Sequence, residues 1–220
     1  MLVSQIIEDN FPHVYTTDKV SFALQMMDDY NVQHLPVENH DDFAGLISKD
    51  LLHDFDGDDL IAALEDHFVL ASILPREHFL TAIKMVAGLG DISLLPVVNE
   101  AKELQGVITA KKLIHAAATF NAVDEPGGMI VLEMEKRNFS FGELSRLVET
   151  NDAYITQLNT YTDATTGILQ VTFKINKLEI SDIIATLQRY DYTILYYFGE
   201  ELYENELKEN LDLLMAYLNI

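Results

Sequence analysis

The chain contains the same short pattern twice, and this internal repeat constrains its fold more than any other feature. The first copy reads HLPV and then GLIS within residues 34–48, and the second reads LLPV and then GVIT within residues 94–109. An amphipathic, helix-like run precedes each copy, at residues 20–30 and 79–88. Duplicated units pack on one another and bury apolar faces that a single unit leaves exposed. The repeat therefore predicts two similar units packed together.

The charge of the chain excludes two classes of partner. The formal net charge is −22 at pH 7, and residues 1–67 carry Lys19 and Lys49 as their only bases against fifteen acids. Such a field repels the phosphate backbone of nucleic acids and the surface of an anionic membrane. We therefore expect no nucleic-acid partner and no membrane partner, and solubility is the simplest role of the charge.

The composition also limits the chemistry. The 220 residues are 49% hydrophobic and include no cysteine, which excludes disulfides, zinc–thiolate sites and cysteine nucleophiles. No apolar run reaches the roughly 18–20 residues that span a bilayer, and the first residues lack the basic start and long apolar stretch of a signal peptide. Neither a phosphate-binding glycine loop nor a G-x-S-x-G elbow is present. We therefore expect a cytoplasmic protein that is not an enzyme, with no metal site and no required cofactor.

The order of predicted elements changes after the second repeat. Each repeat predicts strand, helix, strand, strand and helix. Beyond a break at residues 124–128, the pattern predicts β–α–β–β–α–β, the ferredoxin-like arrangement. Residues 202–218 then predict an amphipathic helix with one apolar stripe. Its members are Leu207, Leu211, Leu214 and Leu218.

These patterns predict an α+β fold in four parts. The parts are the first repeat (residues 1–57), the second repeat (58–123), the βαββαβ domain (128–200) and the C-terminal amphipathic helix (201–220). Two local predictions accompany this division. Residues 68–73 are predicted as a strand, and Asp18 is predicted as the N-cap of the helix that begins near Val20.

The repeated unit resembles a CBS domain, whose strand–helix–strand–strand–helix unit carries h-P-V, a turn, G-h-h-[ST] and a helix. Two copies over residues 1–120 resemble a tandem CBS pair. The following segment resembles an ACT domain, with FGEL at residues 141–144 where that family often has Pro-Gly-x-Leu. The whole order is similar to the AcuB family of acetoin-utilisation regulatory proteins. This resemblance implies a regulatory, non-catalytic homodimer, joined through the CBS pair and acting on an unknown protein target.

The resemblance also implies a ligand site between the repeats, where CBS pairs of the nucleotide-binding kind hold AMP, ADP or ATP. A hydroxyl on the G-h-h-[ST] turn faces the phosphates, and an Asp three residues later accepts hydrogen bonds from the ribose. Ser48 and Thr109 hold the hydroxyl positions here. Asp50 comes one residue early, and Lys112, beside Lys111, replaces the second acid. Lysine has donors and no acceptor, so it can contact phosphate but cannot replace a carboxylate.

Two alternatives to a nucleotide sensor remain open. The CBS pair is a dimeric interaction scaffold with degenerate sites if Ser48 and Thr109 only cap the helices that follow them. The protein is an amino-acid sensor if the ACT-like domain holds its ligand at the turn of Phe141 and Gly142, as the resemblance implies. A survey of ligand binding separates the three functions.

The acidic stretch of residues 54–65 resembles the calcium loop of an EF-hand. Acids occupy loop positions one, three, five and twelve, but Asp59 stands at position six, where the motif needs glycine. The aspartate at position six favours the alternative, an acidic linker between the repeats.

Overall fold

The computed structural model describes residues 1–90 and 92–199 of the chain. Contacts divide the chain into two compact units, Met1–Phe120 and Asn121–Ile220. The predicted helix of residues 201–220 lies outside the described residues.

The first unit contains the two repeats. Its elements are β1 (Val14–Tyr15), α1 (Val20–Tyr30), β2 (His34–Asn39), β3 (Asp42–Ser48), α2 (Lys49–Leu52), a 3₁₀ helix (Ile61–His67), α3 (Phe79–Gly88), β4 (Leu94–Val98), β5 (Leu104–Thr109) and α4 (Ala110–Phe120). A further 3₁₀ turn spans Val3–Gln5.

The strand pairs of the two repeats have matching registers. β2 pairs antiparallel with β3, and β4 pairs antiparallel with β5. His34 lies opposite Ser48 in the first pair, and Leu94 lies opposite Thr109 in the second. Each pair also shifts register after the valine of its L-P-V sequence. The predicted duplication is therefore a duplication of structure.

A segment near the start of each repeat pairs with the other repeat. Glu8 and Val107 exchange backbone hydrogen bonds of 2.8 and 3.1 Å, and Val69 and Leu46 exchange two of 3.0 Å. The predicted strand at residues 68–73 is wrong as a single element, because Val69 bridges to the first repeat and Ile73 to Val97 of the second. We call the segments that contain Glu8 and Val69 the leading segments of the two repeats. Their exchange joins the two repeats.

Two hydrophobic cores reflect this exchange. The first contains β2, β3 and α1 side chains together with Ile61, Leu64 and Phe68, which follow the first repeat in the chain. The second contains α3, β4 and β5 side chains together with Val3 and Leu46. Each core therefore includes side chains from outside its own repeat, as the duplication pattern predicted.

Helix α1 shows how the sequence sets one element. Val20, Ala23 and Met27 are fully buried and recur at helical spacing, so one face of α1 covers the first core. The helix ends at Asn31, which adopts the left-handed conformation with φ 52°. The predicted cap is wrong, since Lys19 holds the N-cap position and the Asp18 carboxylate instead accepts from the Tyr15 N–H at 2.8 Å.

The second unit shows the predicted β–α–β–β–α–β order. Its elements are β6 (Met129–Met134), a 3₁₀ turn (Lys136–Asn138), α5 (Phe141–Glu149), β7 (Ile155–Thr162), β8 (Leu169–Ile175), α6 (Ser181–Arg189) and β9 (Thr193–Phe198). The strands form an antiparallel sheet in the order β7-β8-β6-β9. Leu144, Leu147 and Val148 of α5 and Ile183 and Leu187 of α6 are buried in one core with the sheet.

A buried lysine fixes the start of the second unit. Lys174 on β8 is 7% exposed, and its ammonium donates to the carbonyl of Ala122 at 2.7 Å and to that of Glu125. A buried charge needs such partners to offset its lost hydration. The ammonium therefore holds the segment that leads into β6.

No helix within residues 1–90 or 92–199 is long and apolar enough to cross a bilayer.

Gly106 permits the close crossing of the first leading segment over β5. A Cβ at this position would lie 2.5 Å from the Glu8 carbonyl oxygen, and the residue has φ +138°. We predict that Gly106→Ala lowers the free energy of unfolding by about 2–4 kcal/mol, since it adds both a clash and backbone strain. Urea denaturation followed by circular dichroism measures this change.

Gly88→Ala is the matched control, because a Cβ there meets no atom within 4 Å and the residue ends α3. We expect it to be neutral or stabilising by up to about 1 kcal/mol. Equal stability of Gly106→Ala and the wild type would contradict the close crossing.

Candidate functional site

Thr109 is the last residue of β5, directly before α4, and its side chain makes two hydrogen bonds. Its hydroxyl donates to Glu8 Oε1 at 2.9 Å, and its Oγ1 accepts from the Lys112 N–H at 3.3 Å. The second bond caps α4, because it satisfies one of the free N–H groups of the first turn. The first bond ties the turn to the leading segment of the chain.

Three of the predicted nucleotide-site residues meet at one surface depression of about 890 Å³. Thr109, Lys111 and Lys112 line it together with Glu8. Ile114, His115 and Ala118 complete the described lining. The structure therefore brings the hydroxyl and both lysines of the second repeat to one concave surface.

Sequence reasoning missed Glu8 in this depression. The duplication carried the signal, because Glu8 pairs with Val107 as Val69 pairs with Leu46. Val107 and Leu46 each follow the glycine of the G-h-h-[ST] pattern. Residue 8 is therefore the counterpart of residue 69, and both cross the strand that ends at a candidate hydroxyl. The place of Glu8 in the depression follows from the pairing of its segment with the second repeat.

Ser48 and Asp50 occupy the equivalent turn of the first repeat. Ser48 Oγ accepts from the Leu51 N–H at 3.2 Å and so caps α2, and Asp50 is exposed on that four-residue helix. Neither residue belongs to the described lining of the depression at Thr109. The depression beside Thr109 is therefore lined, among the predicted site residues, by those of the second repeat.

His34 connects the two repeats close to both turns. The Ser93 N–H donates to His34 Nδ1 at 3.3 Å, and Ser93 Oγ lies 2.9 Å from the same nitrogen. An Nδ1 that accepts carries no proton, which assigns the ring proton of a neutral His34 to Nε2. His34 lies opposite Ser48, and Ser93 precedes the residue opposite Thr109. One buried contact thus links the two strand ends that carry the candidate hydroxyls.

The predicted turn of the second unit lies at the start of α5. Phe141 is 54% exposed, and a Cβ at Gly142 would meet no atom within 4 Å. A polar depression of about 660 Å³ lies nearby, and Ser140 and Glu143 belong to its lining. Phe141 and Gly142 are not among the described residues that line it. Their role in ligand binding remains a prediction.

Tyr192 in this second depression is electrostatically perturbed. Burial raises the pKa of its phenol, and the neighbouring Glu143 carboxylate raises it further by charge and by hydrogen bonding. Both effects disfavour the phenolate, since it loses hydration and meets a like charge. Tyr192 therefore presents a neutral hydroxyl over a wider pH range than an ordinary tyrosine.

The acidic stretch between the repeats forms local turns and one ion pair. The Asp58 N–H donates to the Asp56 carboxylate at 3.0 Å, and the Asp56 N–H to the Asp59 carboxylate at 3.1 Å. Lys19 donates to Asp58 at 2.7 Å, which raises the pKa of the lysine and lowers that of the acid. Among residues 1–90 and 92–199, no three acids or histidines form a group that could hold a metal.

Comparison with known proteins gives two kinds of match. The family model of the CBS domain matches residues 3–53 and 70–119. A crystal structure described as a CBS domain pair/ACT domain protein from Thermotoga maritima aligns with a TM-score of 0.50 and 22% identity, over 55% of this chain and 98% of that chain. An identity this low shows a shared fold only.

Two further solved structures align less closely. The CBS domains of a transcriptional regulator from Streptococcus pneumoniae give a TM-score of 0.48 and 18% identity, over 52% of this chain and 98% of that chain. The protein CBSX2, solved in complex with AMP, gives 0.44 and 20%, over 54% of this chain and 97% of that chain.

The two hydrogen bonds of Thr109 predict a measurable contribution to stability. Thr109→Val keeps the shape of the side chain but removes the cap of α4 and the bond to Glu8. We expect the free energy of unfolding to fall by about 1–2 kcal/mol. Thr109→Ser, which keeps the hydroxyl, is the matched control and should stay within about 0.5 kcal/mol of the wild type. Chemical denaturation of the full chain measures both, and equal losses in the two variants would contradict a role for the hydroxyl.

Proposed function

We propose that this protein, whose first unit is a tandem CBS domain pair, is a non-catalytic regulator that binds an adenosine nucleotide at the depression beside Thr109. The observation that carries the proposal is the meeting of Thr109, Lys111 and Lys112 on one concave surface. The same surface includes apolar side chains. A site with clustered cations, a hydroxyl and an apolar wall suits a phosphorylated nucleoside.

The charge of the depression supports an anionic ligand. The chain has a net charge of −22, yet this lining carries two lysines against one carboxylate. Both lysines are exposed, in the first turn of α4. The N–H groups and the dipole of a helix N-terminus favour negative charge. A phosphate can therefore be held here despite the repulsive field of the rest of the molecule.

The apolar part of the lining supports a base. Ile114 is 72% exposed and lines the surface with Ala118 and His115. An exposed branched side chain beside a small one offers a flat apolar contact for an aromatic ring. Covering it with a purine would remove apolar surface from water, which is favourable by roughly 25 cal/mol per Å².

The second unit is proposed to be an ACT-like domain that reads or transmits the state of the CBS pair. Its β–α–β–β–α–β order supports this, although many unrelated domains share that order. We extend the proposal to a likeness with AcuB-type regulators, to a location in the cytoplasm and to an unidentified protein target. The alternatives are an interaction scaffold with degenerate sites and an amino-acid sensor at the Phe141–Gly142 turn.

One experiment separates these functions. Freshly purified protein is denatured and the released small molecules are identified by mass spectrometry, while thermal-shift scans use AMP, ADP, ATP, S-adenosylmethionine, NADH and the amino acids. A released nucleotide, or a shift that grows with nucleotide concentration, supports the proposal. A shift with an amino acid alone favours the ACT-like sensor, and no shift with any compound favours the scaffold.

Substitutions locate the nucleotide. We predict that Lys112→Met weakens AMP binding by about 10- to 100-fold, because it removes a charged donor to phosphate. Lys84→Met is the matched control, since Lys84 is exposed on α3 and lies outside the lining. Isothermal titration calorimetry measures both affinities. If Lys112→Met and Thr109→Val both leave the AMP affinity unchanged, the site has been misplaced.

A second copy of the chain is the proposed partner of the first unit. Helices α3 and α4 form an apolar groove of about 360 Å³. Its described lining consists of Ile83, Val86, Ala87, Ala110, Leu113, Ile114 and Ala117. Exposed apolar patches of this kind mark interaction surfaces. A two-fold dimer would bury the same groove on both copies.

Charge placed in the groove tests the dimer. We predict that Ala87→Glu shifts the protein from dimer to monomer in sedimentation-velocity runs, since two carboxylates would face an apolar interface. Ala87 is exposed, so the fold should survive. Ala101→Glu, which adds the same charge to the exposed turn between β4 and β5, is the control and should remain dimeric. A dimer in both variants would exclude the groove as the interface.

A further inference from the structure

Glu8 lines the depression, and its backbone is held against β5 by two hydrogen bonds. Its N–H donates to the Val107 carbonyl at 2.8 Å, and its carbonyl accepts from the Val107 N–H at 3.1 Å. The glycine before Val107 lets the two backbones approach this closely. The side chain therefore leaves a fixed point of the backbone and reaches the Thr109 hydroxyl at 2.9 Å.

The hydrogen bond to Glu8 limits which ligand groups the Thr109 hydroxyl can contact. A threonine hydroxyl has one proton to donate, and here the proton is donated to Glu8. The oxygen accepts from the Lys112 N–H. A phosphate at Thr109 would compete with Glu8 for the one hydroxyl proton and would meet the negative charge of Glu8. The phosphate of a ligand is therefore favoured on the side of the two lysines.

The carboxylate of Glu8 is suited to the opposite end of such a ligand. A carboxylate only accepts hydrogen bonds and has about four lone-pair sites on its two oxygens. Thr109 uses one of them. Among the described residues that line the depression, Glu8 alone carries a carboxylate. It is therefore the group there that can accept from several ligand hydroxyls at once.

We infer that Glu8 is the specificity-determining acceptor of this site, which takes the hydroxyls of a ribose while Lys111 and Lys112 hold the phosphate. The inference rests on the proposed function and assigns the direction in which the nucleotide lies. It also explains how the second repeat can dispense with an acid at position 112. The leading segment, exchanged between repeats, supplies the acceptor that Lys112 cannot provide.

The test compares AMP with 2′,3′-dideoxy-AMP, which keeps the base and phosphate but lacks both ribose hydroxyls. We expect the wild-type protein to prefer AMP by about 10- to 100-fold, because a site that hydrogen-bonds a hydroxyl rejects the analogue without it. In Glu8→Ala the preference should fall to within about threefold. Glu8→Gln, which keeps one neutral acceptor, should show an intermediate preference, since charged hydrogen bonds are roughly twice as strong.

Asp9→Asn is the matched control, because it removes one negative charge at the next residue, which is exposed and outside the described lining. It should keep the wild-type preference for AMP. Circular dichroism and thermal unfolding of Glu8→Ala and Glu8→Gln verify that both variants fold.

The outcomes distinguish this inference from the function on which it rests. A preference that is lost in folded Glu8→Ala and kept in Asp9→Asn supports the role of Glu8. A preference that survives in Glu8→Ala, or equal binding of the two ligands by the wild type, overturns it while nucleotide binding stands. Absence of any AMP binding by the wild type overturns the proposed function as well.

Discussion

The exchange of leading segments between the repeats is the interaction on which the first unit depends. Glu8 crosses Val107, and Val69 crosses Leu46, each through a pair of backbone hydrogen bonds. Because the crossing at Gly106 leaves no room for a Cβ, the sequence admits little besides glycine at that point. Each core then includes side chains from outside its own repeat. Neither repeat can bury its apolar faces without the other, so the pair folds as one body.

The same exchange places the chemistry of the candidate site. A turn that would otherwise expose a hydroxyl beside α4 receives a carboxylate from the leading segment. Thr109 therefore both caps α4 and donates to Glu8. In the binding mode that we propose, the two lysines and the carboxylate of this depression would discriminate a ligand that has both phosphate and hydroxyl groups from one that has phosphate alone.

Much of this organisation could be predicted from periodicity, and the rest could not for a physical reason. The buried face of α1 follows from the spacing of Val20, Ala23 and Met27, and the strand pairs follow from the repeated pattern. Pairing between distant segments produces no pattern in the local sequence. Residues 68–73 therefore predict one strand, whereas in the structure Val69 pairs with the first repeat and Ile73 with the second. Glu8 was missed for the same reason, since its correspondence with Val69 becomes visible only when the two pairings are known.

The two repeats differ in the length of the helix that follows the candidate hydroxyl. Helix α2 has four residues and α4 has eleven. After Leu52 the chain continues HDFDGDD through residues 53–59. Carboxylates at a helix C-terminus oppose its dipole, and glycine weakens the helix further. The Ala-rich sequence after Thr109 has neither obstacle. Within residues 1–90 and 92–120, the second repeat therefore combines an eleven-residue helix, two lysines in the first turn of that helix and a hydroxyl at its start. These groups line a depression beside α4 on a chain that is strongly acidic.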